Sequence, residues 1–197
     1  MLICIYTRKI RHNCEKSNLK FQATVRKNLI LLGMMGVGKT TIGKIVAKEQ
    51  DMEFIDTDAN IEEKCSMKIS EIFKKKGEEF FRSEEEKEVL KSLKSTNCVI
   101  ALGGGAFLNK AVRANILKNA VSMWLDADLK TLNKRIKWNK NRPLLNKENN
   151  QKKINELYSN RKNIYKLANH KIDCNDLDKK NIAKKIIAFY LIKKLNG

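Results

Sequence analysis

Eight residues, Gly33-Met34-Met35-Gly36-Val37-Gly38-Lys39-Thr40, fit the pattern G-x-x-x-x-G-K-[S/T], a spacing with one specific chemical use. Its glycines let the backbone wrap closely round an anion, so that N–H groups and the start of a following helix bind phosphate. Lys39 supplies a point charge to the outer phosphates of a nucleotide, and the Thr40 hydroxyl is placed to bind Mg2+. The motif needs a strand before it and a helix after it. The apolar run Leu29–Leu32 and the helical spacing of Ile42, Ile45 and Val46 predict both.

Three further sets of residues could act on what such a loop binds. Asp56-Thr57-Asp58 closes a second apolar run, Phe54–Ile55. The carboxyl ends of the strands rim the ligand crevice of an open parallel sheet, so both carboxylates should face the cleft that holds Lys39. Alternation along an extended chain would put them on one side, one holding Mg2+ through water and the other orienting or deprotonating an acceptor hydroxyl. The plainer reading makes one of them the cap of a helix starting near Ala59. Gly103-Gly104-Gly105 follows the run Val99–Leu102, where missing side chains would let a ligand press on backbone N–H groups; its plainer reading is a flexible loop. Last come Arg82 with Glu85 three residues on, Arg142 in Arg142-Pro143-Leu144-Leu145, and Arg161 one helical turn before Tyr165. In a chain that otherwise favours lysine, the planar guanidinium points to bidentate binding of carboxylate or phosphate. Taken singly, each would be a surface charge.

The elements that must position these groups follow from the apolar pattern. Short apolar runs at Leu29–Leu32, Phe54–Ile55, Val99–Leu102 and Val121–Leu125, with a weaker one near Ile172, alternate with helical spacing at Ile69, Ile72 and Phe73 and at Ile182, Ile186 and Tyr190. That alternation predicts βαβ units: a three-layer α/β/α domain over residues 28–197 around a five-stranded parallel sheet. The polar stretch Trp138–Lys153 holds the only proline, Pro143, and reads as a loop of functional length, a candidate lid.

Composition narrows the field. The formal charge is +19, from 41 Lys and Arg against 22 Asp and Glu, which raises a nucleic-acid partner. The basic residues are dispersed among asparagine and isoleucine, as in Lys137–Lys153 and Lys179–Lys185, with little aromatic interleaving. They read as solvated faces with no specific nucleic acid as partner, although the positive field would draw anionic substrates to a cleft. The longest apolar stretch, Leu29–Val37, contains two glycines and falls short of the roughly 20 residues that span a bilayer. Five cysteines without C-x-x-C spacing suit a reducing compartment, here the cytoplasm. Residues 1–27 carry seven Lys and Arg against Glu15 alone and read as an extension, a disordered arm or a misassigned start. Organellar import is the alternative for such a basic, acid-poor segment.

Together these residues resemble the shikimate kinase family from about Asn28 to Tyr165. The resemblance takes in Gly33–Thr41, Phe54–Asp58, Ile61-Glu62, Ile72-Phe73, Gly77-Glu78, Phe81-Arg82 with Glu85, Ala101–Ala106, Arg135, Arg142–Leu145, and Arg161 with Tyr165. It implies a P-loop fold of the nucleoside-monophosphate-kinase type, with substrate-binding helices after the second strand and a mobile lid. It also implies transfer of the ATP γ-phosphoryl group to the 3-hydroxyl of shikimate. On that resemblance Gly36, Val37, Gly38, Lys39, Thr40, Thr41, Arg135 and Arg142 bind ATP. Asp58, Arg82, Gly103, Gly104, Gly105 and Arg161 hold shikimate, the last two arginines on its carboxylate. Thr40 and Asp56 hold Mg2+, and Lys39, Asp58 and Arg142 carry the catalysis. The chain departs from the family pattern at Ser66, where glycine is usual, and at Asn169, where aspartate is common. A monomer is expected. The rival readings are a kinase for gluconate or a nucleoside monophosphate, a non-catalytic nucleotide-binding relative, and a basic nucleic-acid binder. The Asp-Thr-Asp, Phe-Arg and triple-glycine set speaks against the first, the intact Lys39, Asp56 and Asp58 against the second, and the missing aromatic interleaving against the third.

Overall fold

A computed structural model of the chain describes residues 27–137, 150–175 and 178–195. Strand β1 (Asn28–Leu32) runs through the middle of a five-stranded parallel sheet, together with β2 (Glu53–Asp56), β3 (Cys98–Ala101), β4 (Ala120–Asp126) and β5 (His170–Asp173). The strand order is β2-β3-β1-β4-β5. Leu29 pairs with Val99 on one side and with Val121 on the other. All five apolar runs fall in strands; the central β1, β3 and β4 are apolar nearly throughout because a parallel strand covered on both faces needs it, while the edge strands β2 and β5 are partly exposed and more polar. Every residue of β1 is buried. Asn28, its one polar member, donates to the Ser95 carbonyl (2.6 Å) and accepts from the Cys98 N–H (3.0 Å), so the buried amide is satisfied.

Helices α1 (Lys39–Gln50), α2 (Thr57–Cys65), α3 (Ile69–Ser92), α4 (Lys110–Asn119), α5 (Leu129–Lys137), α6 (Asn150–Tyr165) and α7 (Lys179–Leu195) connect and follow the strands, with a 3-10 turn at Ala106–Leu108. Helix α1 packs on α7 and β3, while α4 and α6 gather round the 3-10 turn, giving the three layers. Strand β1 lies between β3 on one side and β4 on the other, and the connection from β3 to β4 crosses over it, so the sheet's switch point lies at the carboxyl end of β1, where Gly33 begins.

Two apolar clusters divide the molecule. The larger surrounds the sheet; the smaller consists of Ile61, Ile72 and Phe81, with Phe73, Phe80 and Met67 packed on it, and belongs to α2 and α3 alone. Helix α3 breaks at Gly77, whose φ of 84° and ψ of 169° are not helical. A side chain there would meet nothing, so this glycine is present for its backbone.

One sequence expectation changes. The loop expected over Trp138–Lys153 is shorter, since Asn150–Lys153 already form the first turn of α6; residues 138–149 lie outside the described residues. The expected extension likewise lies outside them, except for Lys27, whose carbonyl accepts from the Tyr190 hydroxyl at 2.6 Å. Among the described residues no helix is long and apolar enough to cross a membrane.

Candidate active site

The loop between β1 and α1 has the shape its glycines predict. Gly33, Gly36 and Gly38 take φ values of 140°, 79° and 109°, a region that side-chain-bearing residues rarely enter. A Cβ on Gly33 would also collide with the Leu125 carbonyl. Lys39 folds back over the loop, its Nζ donating to the carbonyls of Gly33 (2.9 Å) and Met34 (3.2 Å). The Thr40 hydroxyl donates to Asp56 Oδ2 at 2.7 Å, while Asp56 Oδ1 accepts from the Ala59 N–H at 3.3 Å. Asp56 is therefore both the helix cap and the carboxylate beside Thr40.

Asp58 reaches the cleft by a different route from the expected alternation. Helix α2 begins at Thr57, so Asp58 stands in its first turn rather than on an extended chain. Between them Thr57 is fully buried, donating to the Ala101 carbonyl (3.3 Å) and accepting from the Gly103 N–H (3.1 Å). This hydroxyl ties the start of α2 to the end of β3.

The three glycines after β3 are not a flexible loop. A Cβ on Gly103 would strike the carboxylates of Asp58 and Glu85, one on Gly104 would come to 2.9 Å from Arg161 Nη1, and one on Gly105 would strike the Arg82 guanidinium. Each missing side chain makes room for a charged group. Gly103 itself departs from its expected role: it is buried, its N–H is taken by Thr57, and only Gly104 and Gly105 line the cleft.

Arg82 Nη1 donates to Glu85 Oε2 at 2.6 Å, and its Nε and Nη2 donate to Glu78 Oε1 at 3.2 and 3.1 Å. Burial works against its charge, but Glu85 and Glu78 more than compensate, so its pKa is raised. Burial pushes the Glu85 carboxyl up, against the pull of Arg82 and Arg161. Arg161 is only 9% exposed, and among the described residues no carboxylate lies within ion-pair distance of it. One arginine is already neutralised; the other is a nearly buried cation with room beside it.

One cleft of about 1710 Å3 is lined by the phosphate loop with Lys39, Thr40 and Thr41, by Asp56 and Asp58, by Gly104 and Gly105, and by Arg82, Arg135 and Arg161. Arg135 donates to the carbonyls of Val37 (3.3 Å) and Cys174 (2.9 Å), fixing α5 against the loop. Arg142 lies outside the described residues. Among those residues no three His, Cys, Asp or Glu gather for a metal. A divalent cation beside Thr40 and Asp56 would thus take most of its oxygen ligands from water and phosphate, as Mg2+ commonly does.

The family model described as Shikimate kinase matches residues 35–191 of this chain. The chain belongs to the shikimate kinase family. It is 41% identical over 171 residues to the shikimate kinase of Caldanaerobacter subterraneus subsp. tengcongensis, a match that covers 87% of this chain and 99% of the relative. A solved shikimate kinase from Acinetobacter baumannii in complex with shikimate superposes with a TM-score of 0.81 at 34% identity, covering 86% of this chain and 95% of that one. The shikimate kinase of Bacteroides thetaiotaomicron superposes at 0.78 with 26% identity, covering 85% and 98%.

Both departures from the shikimate kinase pattern have a structural setting. Ser66 sits just past α2 with φ 49° and ψ 35°, the left-handed conformation that glycine adopts freely. Asn169 accepts from both the N–H and the hydroxyl of Ser122, each at 2.8 Å, and its own N–H donates back to that hydroxyl at 3.0 Å, clamping the approach to β5 against β4. The residue that sequence reasoning passed over is Thr57. Between two aspartates it looks like a spacer, and only the parallel pairing of β2 with β3 places it against the glycines.

Proposed function

We propose that the chain transfers the γ-phosphoryl group of ATP to the 3-hydroxyl of shikimate, releasing ADP and shikimate 3-phosphate, a step of the chorismate and aromatic amino acid pathway. The supporting observation is one cleft that joins a phosphate-cradling loop to a nearly buried Arg161, which has no carboxylate within ion-pair distance among the described residues. A bound carboxylate would satisfy that cation, and a planar fork suits it. Within this reading Arg161 and Arg82 hold the shikimate carboxylate, and Asp58, half-buried in the first turn of α2, orients or deprotonates the acceptor hydroxyl. Glycines 104 and 105 give the ring close access to the backbone, and Gly103 shapes the floor beneath. Gly36–Thr41 and Arg135 hold the nucleotide. Lys39 exchanges its contacts with the loop carbonyls for the β- and γ-phosphates, and Arg142 adds positive charge as the phosphoryl group moves.

The hydroxyl of Thr40 and the carboxylate of Asp56 are hard oxygen donors held side by side, which fits Mg2+. When bound, that ion neutralises charge on the phosphates. The protein would act as a monomer in the cytoplasm. Product analysis tests the regiochemistry: phosphorus NMR of the reaction with shikimate should give one monoester, on the 3-hydroxyl. A product phosphorylated elsewhere would displace Asp58 from its assigned role.

A further inference from the structure

Tyr165 is almost completely buried at 1% exposure and lies one helical turn after Arg161 on α6. Its hydroxyl donates to the Gly104 carbonyl at 2.5 Å, and its ring packs against Trp124 of β4 at a centroid distance of 6.1 Å. Trp124 in turn pairs with Leu32, the residue immediately before the phosphate loop. Gly104 is also the glycine whose absent side chain leaves space for Arg161. One phenol therefore touches the glycine loop, stands beside the guanidinium delivered by its own helix, and rests on the strand next to β1. Burial pushes its pKa up, and the neighbouring Arg161 only partly opposes this, so the hydroxyl keeps its proton and remains a donor.

We propose that Tyr165 is a positioning residue for the acceptor's carboxylate, fixing Gly104 and Arg161 relative to one another. The inference rests on the reading in which Arg161 binds that carboxylate. Tyr165 does not touch the reacting atoms. The ring places α6 against Trp124, and the hydroxyl sets the distance between the loop and the Arg161 fork. A bidentate pair depends on geometry more than on charge alone, so loosening that distance should cost carboxylate recognition first. The Gly104 carbonyl is only partly buried and lines the cleft, so water could take the place of a lost donor but would not fix the loop to α6.

The test is Tyr165→Phe, which keeps the ring and its contact with Trp124, assayed with shikimate and with shikimate carboxamide. For the wild type, shikimate should be preferred. In Tyr165→Phe, KM for shikimate should rise on the order of tenfold, the scale of one buried hydrogen bond beside a charge, with kcat and the KM for ATP changed little. The preference for shikimate over its carboxamide should shrink by a similar factor. A purely structural role would weaken both acceptors equally, and that result would overturn the proposal, as would an unchanged KM. If the wild type itself showed no preference for the carboxylate, the reading of Arg161 would fail instead, a result distinguishable from failure of the Tyr165 role because it needs no variant.

Discussion

Asp56 and Asp58 are two residues apart, yet the proposed function gives them different work. Asp56 accepts from Thr40 and caps α2, so Asp56→Asn should weaken metal binding, and added Mg2+ should recover part of the lost turnover. Asp58→Asn keeps shape but removes charge and most basicity; turnover should fall roughly 10²- to 10⁴-fold without rescue by Mg2+. Turnover of both variants across a Mg2+ titration at saturating ATP and shikimate checks this, and rescue of Asp58→Asn alone would reverse the two roles. Arg161→Lys keeps the charge and loses the fork, so shikimate binding should weaken by about 1 to 3 kcal/mol while ATP affinity, measured by calorimetry, stays put. The phosphate loop was legible at this scale because its spacing alone encodes its geometry. Asp58 lines the cleft from the first turn of a helix, not from the extended chain that alternation predicts, since the chain turns helical at Thr57. Thr57 itself was invisible, because its partners, Ala101 and Gly103, are distant in sequence and meet it only once β2 and β3 pair.

Helices α2 and α3, which carry Asp58, Arg82 and Glu85, share their own small apolar cluster and a set of ion pairs centred on Glu84, which binds Lys64 and Lys87. Those two lysines hold the Glu84 carboxyl below its ordinary range. A carboxylate with a lowered folded pKa contributes stability above its unfolded pKa, and that contribution is lost as pH falls through the folded value. Melting temperatures of the wild type and Glu84→Gln should therefore differ most near neutrality and converge as pH falls below the ordinary glutamate value of about 4.3; a gap that widened toward acid would contradict this. At Ser66 the left-handed backbone costs a side-chain-bearing residue about 1 kcal/mol or more, partly offset by the unfolded-state freedom that glycine would add. Ser66→Gly should accordingly stabilise the protein by roughly 0.5 to 1 kcal/mol, readable as a higher denaturant midpoint. The central strands were easy to read, because buried parallel strands are continuous apolar runs; the edge strand β5, His-Lys-Ile-Asp, left only the weak signal of Ile172. The start of α6 was not easy to read: Asn150-Gln151-Lys152-Lys153 offers no apolar residue before the buried Ile154, and Gln151, Lys152 and Lys153 are exposed, so this first turn looks like loop.

For the molecule as a whole, the sheet order brings the ends of β1, β2 and β3 to one rim, and there the phosphate loop, the Asp56–Asp58 turn and the glycine triplet meet around a single cleft. The sequence showed which segments carry chemistry; what it lacked was contact, such as the way each glycine admits a particular charged side chain. Net charge of +19 adds a field that favours anionic substrates in general and cannot by itself choose among them. In the proposed reading that choice falls to the nearly buried Arg161, to Arg82 and to the carboxylate of Asp58. The most direct measurement is ADP release with Mg2+ and ATP across an acceptor panel of shikimate, gluconate and nucleoside monophosphates. Shikimate should drive rapid release and the others almost none; faster release with gluconate or a nucleoside monophosphate would contradict the assignment of the acceptor site.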